Sequence, residues 1–381
     1  MTATLTEGVG ETHRELRLEV REFLVSQRDA GRFQTGCNTW STDWSPELSR
    51  EVGARGWIGL PWPTRYGGGG RTSSERLAVV EEFLAAGAPV AAHWVAERQI
   101  GPLLLHGDSE ELRERFLPPI TRGEVYFAVG MSEPQAGSDL AAIRTRAEKV
   151  PGGWELHGRK IWTSHAHLCH YAIVLVRTSP VGEDRKRGMT QFLVDLSAPG
   201  VHLSGITVAG GRRHFNEVTF EGAFVPDELV VGGVGEGWDN VIAELALERS
   251  GPERYLSSFP LLARAATLAA GGDDRASRAE IGSSLARIAA LRRLTRSVAA
   301  SVDAGGRPEL EAAKTKEVGA RIDQDVVEIV RPLLDDGAPG ADDADLRRLY
   351  EQAAMWSPAY TLRGGTTEIL RGMIARGMGL R

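Results

Sequence analysis

Apolar residues in the first third of the chain follow helical spacing. In ELRLEVREFLV and SERLAVVEEFLAAGAP they recur at intervals of three and four, and the second segment stops at Gly87 and Pro89. The intervening GWIGLPWPTRYGGGG contains two prolines and four consecutive glycines, so we predict no regular structure there. The pattern indicates an N-terminal helical domain over residues 1–120.

Near residue 120 the pattern changes to the alternation of apolar and polar residues that is typical of β-strands. Six segments bounded by Gly, Pro, Asp or Ser follow it: EVYFAVGMS, GWELHGRKIWTS, YAIVLVRTS, TQFLVDLS, VHLSGITV and NEVTFEGAFV. Such short strands in close succession predict a β-sandwich or barrel domain over residues 121–233.

Helical spacing returns after the glycine-rich GGVGEGWD. We predict helices in DNVIAELALERS, near residues 275–304, over 310–335 and near 365–376. These indicate a C-terminal helical domain over residues 234–381, in which the acidic DDGAPGADDAD is typical of an exposed connection. The predicted fold class is α+β, in the order helices, sheet, helices.

Composition narrows the classes of function. A chain of 381 residues with 42% hydrophobic content and a net charge of -6 is typical of a globular protein and unlike a basic nucleic-acid binder. Its two cysteines, Cys37 and Cys169, have no paired spacing, so we expect no disulfide framework. Without a signal-peptide pattern or a run of about 18 apolar residues, we expect a cytoplasmic protein that does not cross a membrane.

Two motifs suggest nicotinamide binding or metal binding, but each departs from the pattern that such a site requires. GGVGEGWD follows a strand and opens a helix, but Trp238 stands where a dinucleotide-binding GxGxxG has its third glycine. His165, His167 and Cys169 share one face if HAHLCH is a strand, yet zinc sites usually draw their ligands from separated elements. We therefore expect neither a nicotinamide site nor a metal site, and exposed or cleft-lining histidines instead.

MSEPQAGSD and KIWTS are better candidates for ligand contact. Gly137 and Ser138, with Ser132 nearby, form a segment whose backbone can approach a ligand closely and whose hydroxyls can bond to it. A plain turn explains the same residues. Trp162 ends a strand, where it is either a core residue or a stacking platform for a planar cofactor.

The last helical segment begins in LRGGTTEILR. Gly364, Gly365 and Thr366 precede a helix that we place near Glu368, and free N–H groups at a helix N-terminus suit a pyrophosphate or a developing oxyanion. A simple Thr cap with Glu in the first turn is the alternative interpretation.

DNVIAELALERS contains a candidate general base. Helical spacing puts Val241, Leu245 and Glu248 on one side of the helix. A carboxylate on a partly apolar face has its pKa raised by desolvation, as a base near neutral pH requires. A surface carboxylate without a catalytic role is equally compatible with the pattern.

Taken in order, these motifs resemble the acyl-CoA dehydrogenase family over nearly the whole chain. The specific matches are SEPQAGSD, GRKIWTS, HFNEVTF followed by Val225 and Pro226, EGW with ALER, and GGTTEI. The resemblance implies an N-terminal helical domain, a central β-domain and a C-terminal four-helix bundle. It also implies noncovalently held FAD and oxidation of an acyl thioester to its trans-2-enoyl product.

The resemblance implies cofactor contacts for six residues. Met131, Ser132 and Trp162 are expected along the flavin ring, and Ser164 near its N5 atom. Thr366 and Glu368 are expected around the ribityl and phosphate portion.

Catalytic and substrate-binding residues follow from the same match. Some family members carry the base just before the Gly-Thr of the C-terminal motif, which is Gly364 here; others carry it where this chain has Glu248 followed by Arg249. The resemblance therefore implies Glu248 as the base, hydride transfer to flavin N5, and the Gly364 N–H as a donor to the enolate-like oxygen. Ser138 and Arg249 are expected to bind the substrate, with Ser138 at its pantetheine arm.

Two departures from the family pattern bear on the partners. SRAEIGSSLARI lacks the Arg-x-x-Phe-Gly motif that reaches a neighbouring subunit's FAD, and LLDDGAPG replaces a Gly-Gly loop that contacts the adenine half. We therefore predict a homo-oligomer or an α2β2 assembly with a second dehydrogenase subunit. The substrate is expected to be an acyl-CoA or acyl-carrier-protein thioester, and the acceptor an electron-transferring flavoprotein. A flavin monooxygenase of the same fold and a non-catalytic partner subunit are the alternatives.

Overall fold

The computed structural model describes residues 13–271, 274–335, 338 and 340–380, apart from the side chains of residues 243–248. Within these ranges the chain forms helices, then a sheet, then helices, which confirms the predicted fold class.

Seven α-helices precede the sheet in the described part of the chain. They are α1 (Arg14–Asp29), α2 (Thr39–Thr42), α3 (Pro46–Ala54), α4 (Ser73–Ala85), α5 (Ala91–Val95), α6 (Gly101–His106) and α7 (Glu110–Thr121). Six more follow the sheet: α8 (Gly237–Arg249), α9 (Phe259–Ala270), α10 (Arg275–Asp303), α11 (Glu309–Val330), α12 (Ala344–Trp356) and α13 (Thr367–Gly377).

Helix α4 shows how local sequence sets these boundaries. The Thr72 hydroxyl accepts the Glu75 N–H at 3.1 Å, and the Glu75 carboxylate accepts the Thr72 N–H at 2.9 Å, which closes a capping box. The helix ends just before Gly87, whose φ of 62° is left-handed. The predicted stop at this glycine is confirmed.

Eight strands form one hydrogen-bonded sheet in the described residues. They are β1 (Phe127–Gly130), β2 (Arg146–Val150), β3 (Gly153–Ser164), β4 (Tyr171–Arg177), β5 (Met189–Asp195), β6 (Val201–Thr207), β7 (Arg213–Pro226) and β8 (Val230–Val231). Their order is β6-β7-β3-β2-β4-β5-β8, and β1 pairs parallel to β4 off this path.

All six predicted strands are present, and two more were missed. The sequence of β2, RAEKV, is mostly charged and buries only Ala147 fully, so its apolar alternation is too weak to detect. Strand β8 has two residues, which is shorter than any sequence pattern can reveal.

Helices α9 to α12 pack against one another after the sheet, and α13 packs on α11. Neither α9 nor α12 was predicted. In α9, FPLLARAATLAA buries Leu261, Leu262, Ala265 and Ala269 at helical spacing, so its stripe was present in the sequence and was overlooked. Helix α12 follows the acidic segment, whose Asp343 accepts the Leu346 N–H at 2.7 Å and serves as the helix cap. Part of the predicted connection is therefore a helix start.

The chain divides into two compact units, each described by itself. The helical unit comprises Met1–Trp44, Arg71–Ala91 and Arg249–Arg381, and the sheet unit comprises Ser45–Gly70 and Ala92–Glu248. The boundaries of the three predicted domains stay a prediction. No helix among the described residues combines the length and apolar character needed to cross a membrane.

Candidate active site

A buried ion pair joins the MSEPQAGSD segment to strand β3 in the sheet unit. The Lys160 ammonium lies 2.8 Å from the Glu133 carboxylate, and Lys160 is fully buried. Burial alone would raise the pKa of Glu133, but the Lys160 charge and the Arg144 N–H at 2.7 Å outweigh it and lower this pKa to about 2. Glu133 is therefore a structural carboxylate, ionised at neutral pH.

The same lysine fixes the backbone of the predicted flavin-edge residues. Its ammonium also donates to the Met131 carbonyl at 3.0 Å, and the Ile161 N–H donates to the Ser132 carbonyl at 2.9 Å. Met131 and Ser132 are half-buried. Three predicted residues thus come together, because these bonds hold Met131 and Ser132 beside the stretch of β3 that leads to Trp162.

Trp162 is not a core residue. Its side chain is 55% exposed, and its φ of 60° is left-handed, which is strained for a bulky residue. The pairing of β3 with β7 slips between Lys160 and Thr163, so this bulge turns the indole away from the regular strand face. Phe215 lies edge to face with the indole, with ring centres 5.6 Å apart, and more than half of the Trp162 side chain remains accessible to a ligand.

The histidine run that follows β3 is a turn and not a strand. Residues Ala166–Leu168 form a 3-10 turn, so the shared strand face considered for His165, His167 and Cys169 does not exist. His165 is buried and stacks edge to face on His214 at 4.5 Å, so the expectation of exposed or cleft-lining histidines is wrong for this residue. Among the described residues, no group of His, Cys, Asp or Glu is arranged to hold a metal ion.

The remaining sheet-unit candidates differ in exposure. Ser164 ends β3 opposite Phe215 and is half-buried, whereas Ser138 is exposed. The GGVGEGWD segment leads from β8 into α8, and its Gly235 N–H donates to the Thr190 hydroxyl at 2.9 Å. Glu248 lies in the last turn of α8, but its side chain is outside the described residues.

The helical unit holds the other candidates around Gly364. Gly364 and Gly365 are both left-handed, with φ of 68° and 92°. The buried Arg249 donates from Nε to the Gly364 carbonyl at 3.2 Å and contacts the Met373 sulfur at 3.4 Å. In this structure Arg249 therefore positions the loop before α13.

Thr366 caps α13. Its hydroxyl accepts the Ile369 N–H at 3.5 Å, and the exposed Glu368 lies in the first turn. The structure therefore contains the Thr cap with Glu in the first turn that was the alternative interpretation of this segment. Helix α13 begins at Thr367, one residue before the predicted start. An anion at this N-terminus stays a prediction.

Sequence reasoning missed Lys160 and Arg363, which hold these segments. The signal for Lys160 was a cation in the middle of a strand-like pattern. Arg363 gave no comparable signal, because its hydrogen-bond partners Asn38 and Ser257 lie more than 100 residues away in the sequence.

Family comparisons match all three parts of the chain. Sequence models for the acyl-CoA dehydrogenase N-terminal, middle and C-terminal domains match residues 10–124, 128–223 and 260–379. The chain belongs to the acyl-CoA dehydrogenase family. Members of this family are FAD-dependent oxidoreductases, so the predicted enzyme class and cofactor are confirmed.

Among this family's curated members, acyl-CoA dehydrogenase IpdE1 of Mycobacterium tuberculosis is 33% identical over 86% of this chain and 85% of its own length. Acyl-CoA dehydrogenase FadE34 of the same organism is also 33% identical, over 85% of this chain. The chain spans only 45% of the length of FadE34.

Two solved structures resemble nearly all of the chain. The Tcur3481-Tcur3483 steroid ACAD is 28% identical with a TM-score of 0.83, covering 96% of this chain and 97% of that one. The ChsE4-ChsE5 complex from Mycobacterium tuberculosis is 26% identical with a TM-score of 0.82, covering 98% and 99%.

The residues present fit a flavin. A strained, exposed tryptophan beside a segment tied down by buried bonds offers a fixed apolar surface for the ring. Within the same unit, the half-buried Ser164 hydroxyl can bond to a ring heteroatom.

We predict that Glu133→Gln destabilises the protein by about 3–5 kcal/mol at pH 7, because it leaves the Lys160 ammonium buried without its counter-ion. Since the pKa of Glu133 is lowered, its carboxylate stabilises the fold above its ordinary pKa and loses this effect as pH falls toward 2. Urea unfolding at several pH values measures both effects. Glu148→Gln, at an exposed carboxylate, is the control. Adding Lys160→Met should recover stability, and no recovery would contradict the assignment.

We predict that Trp162→Ala weakens FAD binding about tenfold and leaves thermal stability nearly unchanged, because the exposed indole contributes stacking and little core packing. Flavin fluorescence titration measures the affinity in the assembly in which the wild type holds FAD. Phe224→Ala is the control, since Phe224 is an exposed aromatic residue of the same unit. Unchanged FAD affinity in Trp162→Ala would show that the indole is not a flavin platform.

Proposed function

We propose that this chain oxidises an acyl-CoA thioester to its trans-2-enoyl product, with Glu248 as the base. The observation that carries the proposal is the bond from Arg249 to the Gly364 carbonyl. Glu248 directly precedes Arg249 at the end of α8, so the candidate base is one residue from a side chain that holds the candidate donor loop. The negative end of a helix dipole also makes a carboxylate more basic.

The proposed chemistry divides the work among a few residues. Glu248 takes the α-proton, while the Gly364 N–H donates to the thioester oxygen, where negative charge develops. FAD, when bound, accepts the hydride that leaves the β-carbon. The electrons of the α-carbon–hydrogen bond then form the new double bond, so proton, hydride and electrons balance.

We propose that the other site residues orient cofactor and substrate. Trp162 stacks on the flavin, and the bonds from Lys160 and Ile161 fix the backbone that lies along its edge. The proposed cofactor contacts are Met131, Ser132, Trp162, Ser164, Thr366 and Glu368, and the proposed substrate contacts are Ser138 and Arg249.

The substrate class is drawn from the family and its solved members. Acyl-CoA thioesters are the family's substrates, and one solved structure is named a steroid ACAD. We therefore include CoA thioesters with fused-ring acyl groups in the proposed class, next to straight and branched acyl chains. Acyl-carrier-protein thioesters are the competing carrier form, and an electron-transferring flavoprotein is the proposed acceptor.

We predict that Glu248→Gln abolishes anaerobic bleaching of the flavin absorption by acyl-CoA, reducing its rate by at least about 100-fold, because an amide cannot take the α-proton. Glu244→Gln, one helical turn earlier, is the matched control and should bleach normally. Stopped-flow spectroscopy with a panel of acyl-CoAs measures the rate. Retained bleaching in Glu248→Gln would exclude it as the base, and oxygen consumption without enoyl-CoA would favour a monooxygenase.

A heteromeric assembly has separate support. The α10 segment SRAEIGSSLARI and the later LLDDGAPG lack the residues that family members use on a neighbouring subunit's FAD. One of the solved structures is also a complex of two named components, ChsE4 and ChsE5. We therefore propose that a second dehydrogenase subunit completes an α2β2 enzyme.

We expect the chain purified alone to bind less than one FAD per protomer, because the neighbour's pyrophosphate contacts would be missing in a homo-oligomer. Adding a dehydrogenase subunit that has the Arg-x-x-Phe-Gly motif should raise the amount of FAD bound per protomer. It should also produce a larger species in gel filtration. Stoichiometric FAD in the chain alone would overturn the heteromer and favour a homo-oligomer.

A further inference from the structure

Arg363, directly before the two left-handed glycines, has an unusual environment in the helical unit. Its guanidinium lies 4.5 Å from the Trp40 ring centre and 5.0 Å from that of Tyr360, so two aromatic rings flank it. One nitrogen of the same guanidinium, Nη2, donates to the Asn38 Oδ1 at 2.8 Å and to the Ser257 hydroxyl at 3.3 Å. A planar guanidinium can lie between two rings and donate hydrogen bonds at the same time.

The partners of Arg363 are themselves held in place. The Asn38 N–H donates to the Ser257 carbonyl at 2.8 Å, and the Trp40 indole N–H donates to the Ser257 hydroxyl at 3.0 Å. Ser257 is 1% exposed, and its hydroxyl donates in turn to the Glu253 carbonyl at 2.7 Å. Arg363 is thus attached to a rigid, buried network and not to a mobile surface.

The charge of Arg363 is costly at this location. Burial lowers its pKa to about 10, and the positive charge of Arg254 acts in the same direction. At neutral pH the guanidinium is still charged. Arg363 is half-buried, and withdrawing part of a cation from water costs free energy, which suggests that this side chain serves the loop that follows it.

The loop around Gly364 and Gly365 has few conformational restraints of its own. Glycine lacks the steric restraint of a Cβ, and both Gly364 and Gly365 adopt left-handed conformations. The Gly364 N–H belongs to the peptide group that contains the Arg363 carbonyl. Anchoring Arg363 therefore restrains the peptide on one side of Gly364, and the bond from Arg249 to the Gly364 carbonyl restrains the peptide on the other.

We propose that Arg363 is a positioning residue that fixes the Gly364 N–H in the direction required to stabilise the enolate oxygen. This inference rests on the proposed function, since it assigns Gly364 as the donor. Arg363 acts through the backbone and need not touch the substrate. Its contribution is the geometric precision of a donor that has no side chain to orient it.

The test compares Arg363→Gln and Arg363→Lys with Arg371→Gln as a matched control. Arg371 lies in α13 of the same unit, where it is exposed and pairs with Glu317. Amide hydrogen–deuterium exchange of residues 362–366 reports the loop directly and requires no substrate. Deuterium uptake at the substrate's α-carbon, measured by mass spectrometry with the flavin reduced, reports proton removal without hydride transfer.

In Arg363→Gln we expect faster amide exchange of the loop and α-carbon exchange slowed about 10- to 100-fold, with KM within about twofold of wild type. Arg363→Lys should recover only part of the rate, because an ammonium keeps the charge but not the planar stack. Arg371→Gln should match the wild type in both measurements.

The proposal is overturned if Arg363→Gln shows the wild-type rates both for amide exchange of the loop and for deuterium uptake at the substrate's α-carbon. If Arg363→Gln does not fold, Asn38→Gly is the substitute. It removes the Asn38 Oδ1 that accepts the Arg363 hydrogen bond at 2.8 Å, and glycine tolerates the φ of 61° at this position. The same two exchange measurements then support or overturn the proposal. If the wild type removes no α-proton from any acyl-CoA, the proposed function fails. Amide exchange of the loop still decides in that case whether Arg363 anchors it.

Discussion

The buried contact between Lys160 and Glu133 is the interaction on which the sheet side of the site depends. A fully buried ammonium must be neutralised, and the Glu133 carboxylate 2.8 Å away does so. Because the two groups come from a strand and from the segment after another strand, satisfying the charge also fixes the backbone between them. The Met131 carbonyl accepts a further hydrogen bond from the same ammonium, so the interaction that neutralises the charge also fixes the position of this backbone.

In the helical unit, arginine side chains fix an irregular backbone segment in a similar way. Gly364 and Gly365 have no side chains to pack; Arg249 bonds to the Gly364 carbonyl, and the side chain of the preceding Arg363 bonds to Asn38. Lys316 adds a third case, since its buried ammonium donates to the Tyr360 carbonyl at 2.7 Å, just before this loop. Long cationic side chains can reach carbonyls of irregular backbone that no secondary structure satisfies.

Backbone strain in the sheet unit lies at Trp162, the proposed flavin platform, and at His165 just after it. Of the four non-glycine residues with positive φ in the described chain, Trp162 and His165 lie within one four-residue stretch at the end of β3. Such conformations persist only when the surroundings enforce them, and here the bulge against β7 and the stacking of His165 on His214 do so. The result is an aromatic ring held in solvent, which costs stability and favours a ligand that covers it.

Sequence alone determined the order helices, sheet, helices, because apolar spacing of three and four changes to alternation and back. It also identified Trp162, Glu248 and the Gly364 segment as candidates, since their motifs are contiguous in the chain. Only the tertiary structure decided that Trp162 is exposed and that Arg249 holds Gly364. The sequence could not reveal the Arg363 anchor either, because its partner Asn38 is 325 residues away and such pairings depend on packing. Local patterns encode local elements, whereas the contacts that orient a site arise when distant segments meet in the folded chain.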